Sequence, residues 1–88
     1  MKHGQEVLTV NQAVAKRIRE LLKLKCITQY RLEINSDIQH SQMDFILKDR
    51  NKTVTFTTII KLANGFGISL KEFIDCNEFE YDKLDVGQ

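Results

Sequence analysis

The side chains best suited to recognition chemistry cluster at residues 39–45, where Gln39, His40, Ser41, Gln42, Asp44 and Phe45 stand close together. A glutamine amide offers a donor and an acceptor side by side, and a serine hydroxyl can donate or accept. The Asp44 carboxylate can accept hydrogen bonds, and Phe45 can pack on an apolar group. These are hydrogen-bonding and packing roles, not bond-making ones. Arginine is missing from this stretch. Chemistry of other kinds has little material. His3 and His40 are far apart, Cys26 and Cys76 form no CxxC pair, and nothing has zinc-ligand spacing. No nucleophile stands beside a base, no glycine loop could cradle phosphate, and no carboxylate pair sits in an apolar run. The expectation is a binding protein with no catalytic residues, no metal and no cofactor.

Apolar spacing supplies the elements that must hold this cluster. Val14, Ile18, Leu21 and Leu22 mark one face of a first helix, for which Asn11 is a candidate cap and Cys26 an end point. Lys16, Arg17, Arg19, Lys23 and Lys25 fill most of the remainder, as a solvated basic face. Thr28 can cap a short second helix reaching about Asn35, with Tyr30, Leu32 and Ile34 as its larger apolar groups. Asn35-Ser36-Asp37 is a turn cluster. A third helix starts at Gln39 or His40 and runs to Leu47, burying Met43, Ile46 and Leu47. After a polar loop at 48–54, Thr55 caps a fourth helix carrying Phe56, Ile59, Ile60, Leu62, Ala63 and Phe66, and Gly65 or Gly67 ends it. Ser69-Leu70-Lys71-Glu72 has the form of a capping box, so a fifth helix should contain Leu70, Phe73 and Ile74. None of these faces is large enough to stand alone, so the expectation is an all-α domain of five short helices around one core.

Two short helices around a tight turn, with apolar Ile38 in the turn, fit a helix-turn-helix. Leu32, Ile38, Met43 and Ile46 have the spacing to pack the two helices together and onto a third. That packing turns Gln39, His40, Ser41, Gln42 and Asp44 outward. Phe45 is open between an exposed reading group and a partly buried one.

The chain resembles the large family of bacterial and phage regulators that includes lambda repressor and Cro, often called the XRE family. The resemblance spans about residues 14–74. It rests on IRELLK at 18–23, ITQYRL at 27–32, SQMDFIL at 41–47 and TTIIKLANGFGISLKEFI at 57–74. It implies a five-helix lambda-repressor-like DNA-binding domain whose third helix enters the major groove while the second lies across the backbone. Carried over by position, Gln29 would meet a phosphate near the positive end of the second helix. Gln39, His40 and Ser41 would read base edges, with Asp44 and Phe45 one turn further on. Arg50 and Lys52 would touch phosphates. The sequence departs from the family pattern in three places. Glu33 stands where a small alanine is usual, Asn35 where an apolar residue is common, and Asp37 where glycine usually supplies positive φ.

Composition sets the frame for this reading. Eighty-eight residues suffice for one domain, and 42% hydrophobic content suits a globular chain. The net charge of +1 hides an asymmetry: twelve Lys/Arg face six Asp/Glu in residues 1–71, and one faces six in residues 72–88. A basic body suits a polyanion, and equally a solvated helix face. No signal-peptide core or membrane-spanning run is present, so the expected location is cytoplasmic, with no membrane partner. The expected organisation is an N-terminal arm at 1–10, the helix-turn-helix domain at 11–75 and an acidic tail at 76–88. That tail reads as a disordered solubiliser, a dimer arm or a docking segment for a protein partner. The functional expectation is a sequence-specific transcriptional regulator, a repressor acting as a homodimer on double-stranded DNA. Lacking a separate sensing domain, it would be controlled by concentration, proteolysis or a partner. The alternative is a protein-interaction module on the same fold, antitoxin-like or an anti-repressor.

Overall fold

A computed structural model describes residues 8–48, 54–76 and 79–80, and the backbone of 84–85. Among these residues the chain forms β1 (Leu8–Thr9), α1 (Val10–Lys25), α2 (Gln29–Ser36), α3 (His40–Leu47), α4 (Phe56–Phe66), α5 (Leu70–Ile74) and β2 (Leu84–Asp85). The all-α, five-helix architecture expected from the sequence is the one found, with one addition. β1 and β2 pair in parallel, Leu8 opposite Leu84 and Thr9 opposite Asp85, so the chain returns beside the start of α1.

α1 begins earlier than expected, with Thr9 as its cap in place of Asn11. The Thr9 hydroxyl accepts the Gln12 N–H at 3.1 Å while the Gln12 side chain accepts the Thr9 N–H at 2.8 Å. This is a reciprocal capping box, read from Thr9 and Gln12. Asn11 lies inside the first turn, is buried, and accepts the Val54 N–H at 2.8 Å. It ties the segment before α4 to α1 instead of starting a helix.

The basic residues of α1 also divide. Lys16, Arg19, Lys23 and Lys25 are exposed, but Arg17 is buried. Its Nε donates to the Phe73 carbonyl and its Nη2 to the Glu72 carbonyl, both at 2.7 Å, while Nη1 meets Glu20 at 3.2 Å. The guanidinium thus reaches two carbonyls at the end of α5, of which that of Glu72 also takes the Asp75 N–H at 3.4 Å. Arg19 does a similar service for α3 by donating to the Leu47 carbonyl. The first helix therefore holds the ends of two others through its arginines.

Three connections share one design. α1 passes to α2 through Cys26-Ile27-Thr28, α2 to α3 through Asp37-Ile38-Gln39, and α4 to α5 through Gly67-Ile68-Ser69. In each, the first residue is left-handed, with φ of 55°, 57° and 73° respectively. In each, the isoleucine N–H then reaches back to a carbonyl inside the finished helix: Ile27 to Leu22, Ile38 to Glu33 and Ile68 to Ala63, at 3.0–3.1 Å. This is the Schellman arrangement, with its apolar residue folded inward. The third residue is the cap of the next helix. Thr28 and Ser69 cap with their hydroxyls, whereas Gln39 makes no side-chain cap bond.

The core joins Val14, Ile18 and Leu21 of α1 to Leu32, Ile38, Met43, Ile46, Leu62, Phe66 and Phe73. Phe73 is fully buried, with Phe66 and Phe79 on either side at ring-centroid distances of 6.4 and 6.3 Å. α2 and α4 approach closely at Ser36 and Gly65, where a Cβ on Gly65 would lie 2.6 Å from the Ser36 Cβ. Gly65 is thus a packing residue within α4, and Gly67 is the one that ends the helix. Several apolar residues of these helices lie outside the core. Tyr30 is 70% exposed and Phe56 64%, and Ile34, Ile60 and Ile74 are exposed as well. Tyr30 and Ile34 share a face one turn apart, as do Phe56 and Ile60, and a helix this size buries only one face. Leu22 and Leu47 are half-buried at the edge of the core.

Candidate nucleic-acid interface

α3 is amphipathic over two turns. Met43 and Ile46 are buried, while Gln39, His40, Ser41 and Gln42 are exposed. The structure therefore brings the expected reading residues to one surface at the start of α3. Because the Gln39 side chain does not cap the helix, its amide is not spent on the first turn. Gln42 reaches the other way, its Nε2 donating to the Thr58 hydroxyl of α4 at 3.3 Å. One turn further on, Asp44 is half-buried and pairs with Lys48 at 3.3 Å. The lysine offsets the negative charge that a polyanion would otherwise meet there. Exposed pairs of this kind add little stability, so the consequence is for the local field. Phe45 is 38% exposed and lines a shallow cleft of about 150 Å³ with Asn11, Ile46, Val54, Thr55 and Thr58. It is both partly packed and partly presented. Arg50 and Lys52 lie outside the described residues.

Glu33, Gln29 and His40 form a cluster that sequence reasoning had not assembled. Glu33 sits on α2 facing the start of α3, with its side chain only 9% exposed. Its Oε2 accepts the Gln29 Nε2–H at 2.9 Å and lies 2.9 Å from His40 Nδ1. The hydrogen bond from Gln29 holds the Glu33 carboxyl below the usual glutamate range, against burial that pushes it upward, and the His40 contact adds to the lowering. In return, the hydrogen bond to Glu33 and then its charge raise the His40 imidazole above its ordinary value. The residue noted for its size is thus a clasp between the two helices. Its signal was the spacing of Gln29 and Glu33, one turn apart on a helix. The turn departure is also accommodated: Asp37 adopts the left-handed conformation that glycine would take, with φ 57° and ψ 43°.

Among the described residues no group of His, Cys, Asp and Glu could hold a metal ion, and no helix is long and apolar enough to cross a membrane.

Comparison with known proteins places this geometry. No curated protein matches the chain. Among solved structures, the prophage Lp1 protein 11 is similar at 26% identity with a TM-score of 0.75, over 84% of this chain and 97% of its own. The restriction-modification controller protein C.AhdI from Aeromonas hydrophila is similar at 26% identity with a TM-score of 0.60, over 69% of this chain and 91% of its own. The family model for the Cro/C1-type HTH DNA-binding domain matches residues 17–78, which take in all of α2, α3, α4 and α5. The chain belongs to the Cro/C1-type helix-turn-helix DNA-binding family.

Proposed function

We propose that the protein is a sequence-specific transcriptional regulator, acting as a repressor through the major groove. The observation that carries this reading is the exposed polar start of α3, set on a buried apolar face in a domain of this family. α3 enters the groove with Gln39, His40 and Ser41 toward base edges and Asp44 and Phe45 further along. Gln29 at the start of α2 meets the backbone, and Arg50 and Lys52 take phosphates. A homodimer on an inverted repeat, with half-sites about one helical turn apart, is the arrangement that matches such a domain. A prophage protein and a restriction-modification controller protein among the similar structures support a regulator of bacterial or phage origin.

The test is selection from a random duplex pool by the purified protein at two salt concentrations. The expected result is an enriched inverted repeat, bound with an affinity that falls log-linearly with salt as counterions are released. Ser41→Ala should relax the preference at one position of each half-site, while Arg50→Ala should weaken all sequences alike. A folded protein that enriches nothing at low salt overturns this reading, in favour of a protein-interaction module on the same fold.

A further inference from the structure

Resting on the DNA-binding reading above, we propose that Glu33 is a positioning residue that fixes the tautomer of His40, so that protonation switches the outward Nε2 from hydrogen-bond acceptor to donor and changes the base it prefers.

The geometry begins at the Glu33 carboxylate, which is nine-tenths buried and takes the Gln29 amide N–H and the His40 Nδ1 on the same oxygen. An ionised carboxylate can only accept. Nδ1 must therefore carry a hydrogen whether the ring is neutral or charged. In the neutral ring this leaves Nε2 as an acceptor, and in the imidazolium Nε2 becomes a donor. The His40 side chain is 74% exposed, so the ring edge away from Glu33 is open to a ligand. His40 is also the first residue of α3, where that edge would meet a groove.

The neighbouring charges set when the switch operates. Glu33 from α2 favours the charged ring, through its hydrogen bond first and its charge second. Within α3, Asp44 favours it and Lys48 opposes it, and these two are paired with each other. The balance is upward, so the ring keeps its proton above the ordinary imidazole value. Glu33 itself stays ionised there, because the Gln29 bond holds its carboxyl low.

Base chemistry gives the consequence. An acceptor at Nε2 matches the amino groups of adenine and cytosine in the major groove. A donor matches guanine, whose edge there offers two acceptors. One side chain then serves two base preferences, according to its proton.

The experiment has two arms on the full chain. The first is nitrogen-15 NMR of the His40 ring from pH 5.5 to 8.5 without DNA. The Nδ1–H tautomer is expected at high pH in the wild type, and Glu33→Gln should shift the population toward Nε2–H and lower the midpoint. A wild-type ring that is mainly Nε2–H overturns the proposal. The second arm is duplex selection at pH 6 and pH 8. One position in each half-site should move toward guanine at pH 6, by roughly three- to tenfold for one hydrogen bond exchanged. His40→Gln, which can donate and accept but does not titrate, should abolish the movement at that position, whatever its effect on affinity. This variant keeps the test decisive should Glu33→Gln fold poorly. Binding whose preference ignores pH overturns the proposal alone. Absence of binding to any duplex at either pH overturns the functional reading and this proposal with it, while the NMR arm reports independently on the tautomer.

Discussion

The α2–α3 and α4–α5 connections have the same length and the same three-part design, yet they differ at the two outer positions. Both open with a left-handed residue and both fold an isoleucine inward. Between α4 and α5 the left-handed residue is Gly67, and the cap is Ser69, whose hydroxyl accepts the Glu72 N–H at 3.0 Å. Between α2 and α3 the same places hold Asp37 and Gln39, and Gln39 makes no side-chain cap bond. The α4–α5 turn thus uses the residues that local conformation favours. The α2–α3 turn gives up that preference at the edge of the candidate interface, where a long amide is more useful than a capping hydroxyl. What replaces the local stability is tertiary: Ile38 is buried, and the Glu33 carboxylate ties the start of α3 to α2. One connection is favoured by its own residues, and the other leans more on what surrounds it.

Breaking the apolar side of this comparison should have the largest effect. Phe73→Ala removes a fully buried ring packed between Phe66 and Phe79 and should cost about 3–5 kcal/mol, measured by urea unfolding. That is a large part of the total stability of a small domain. Gly65→Ala should cost about 1–3 kcal/mol by overpacking, although alanine is the better helix former. The added methyl would meet Ser36, whose backbone lies 3.0 Å from it, and α2 would have to shift. The same unfolding assay reads this loss.

Making one turn resemble the other sharpens the comparison. Asp37→Gly should raise stability by roughly 0.5–1 kcal/mol by relieving the left-handed conformation. Gln39→Ser should add a further stabilisation of up to about 1 kcal/mol through a new cap. The second change should also relax base preference in duplex selection, whereas the first should leave it alone. A doubly substituted chain that is more stable and equally selective would show that Gln39 has no reading role.

The smallest effect concerns pH. The lowered pKa of Glu33 means that its contribution is present above the ordinary glutamate range and lost as pH falls through the lowered value. The raised pKa of His40 means that its contribution is full below about pH 6.5 and lost as pH rises through the raised value. The clasp should therefore stabilise the domain most between about pH 4.5 and 6.5. The difference in thermal midpoint between wild type and His40→Gln, followed across pH, should peak in that window.

Much of this architecture was legible along the chain because it is local. Caps at Thr28, Thr55 and Ser69, the stop at Gly67 and the buried stripe of α3 each depend on residues a few positions apart. Some misreadings were also local. Thr9 and Gln12 spell a capping box, and Arg17 lies at the spacing that joins Val14, Ile18 and Leu21 on one face. A charged residue within an apolar stripe is a signal for a buried partner, here the end of α5. The rest was not legible for a physical reason. Tyr30 and Leu32 are both apolar, and only the position of α4 decides which faces inward. At the candidate interface, the exposed start of α3 followed from helical periodicity. The clasp required knowing that His40 and Glu33 would meet across a turn.

The pairing of β1 with β2 bears on the order of assembly. Leu8 and Leu84 stand at opposite ends of the described chain, so their contact closes the longest loop among the described residues. The entropy cost of closure rises with loop length, and two residues of pairing offer little to offset it. The helices and their three-residue turns can form from neighbours, on the fast timescale of local contacts. Strand pairing would then come last in folding and open first in unfolding, and amide exchange at positions 8–9 should outpace exchange within α1. The returning segment acts as a late latch, whose closing marks a finished fold.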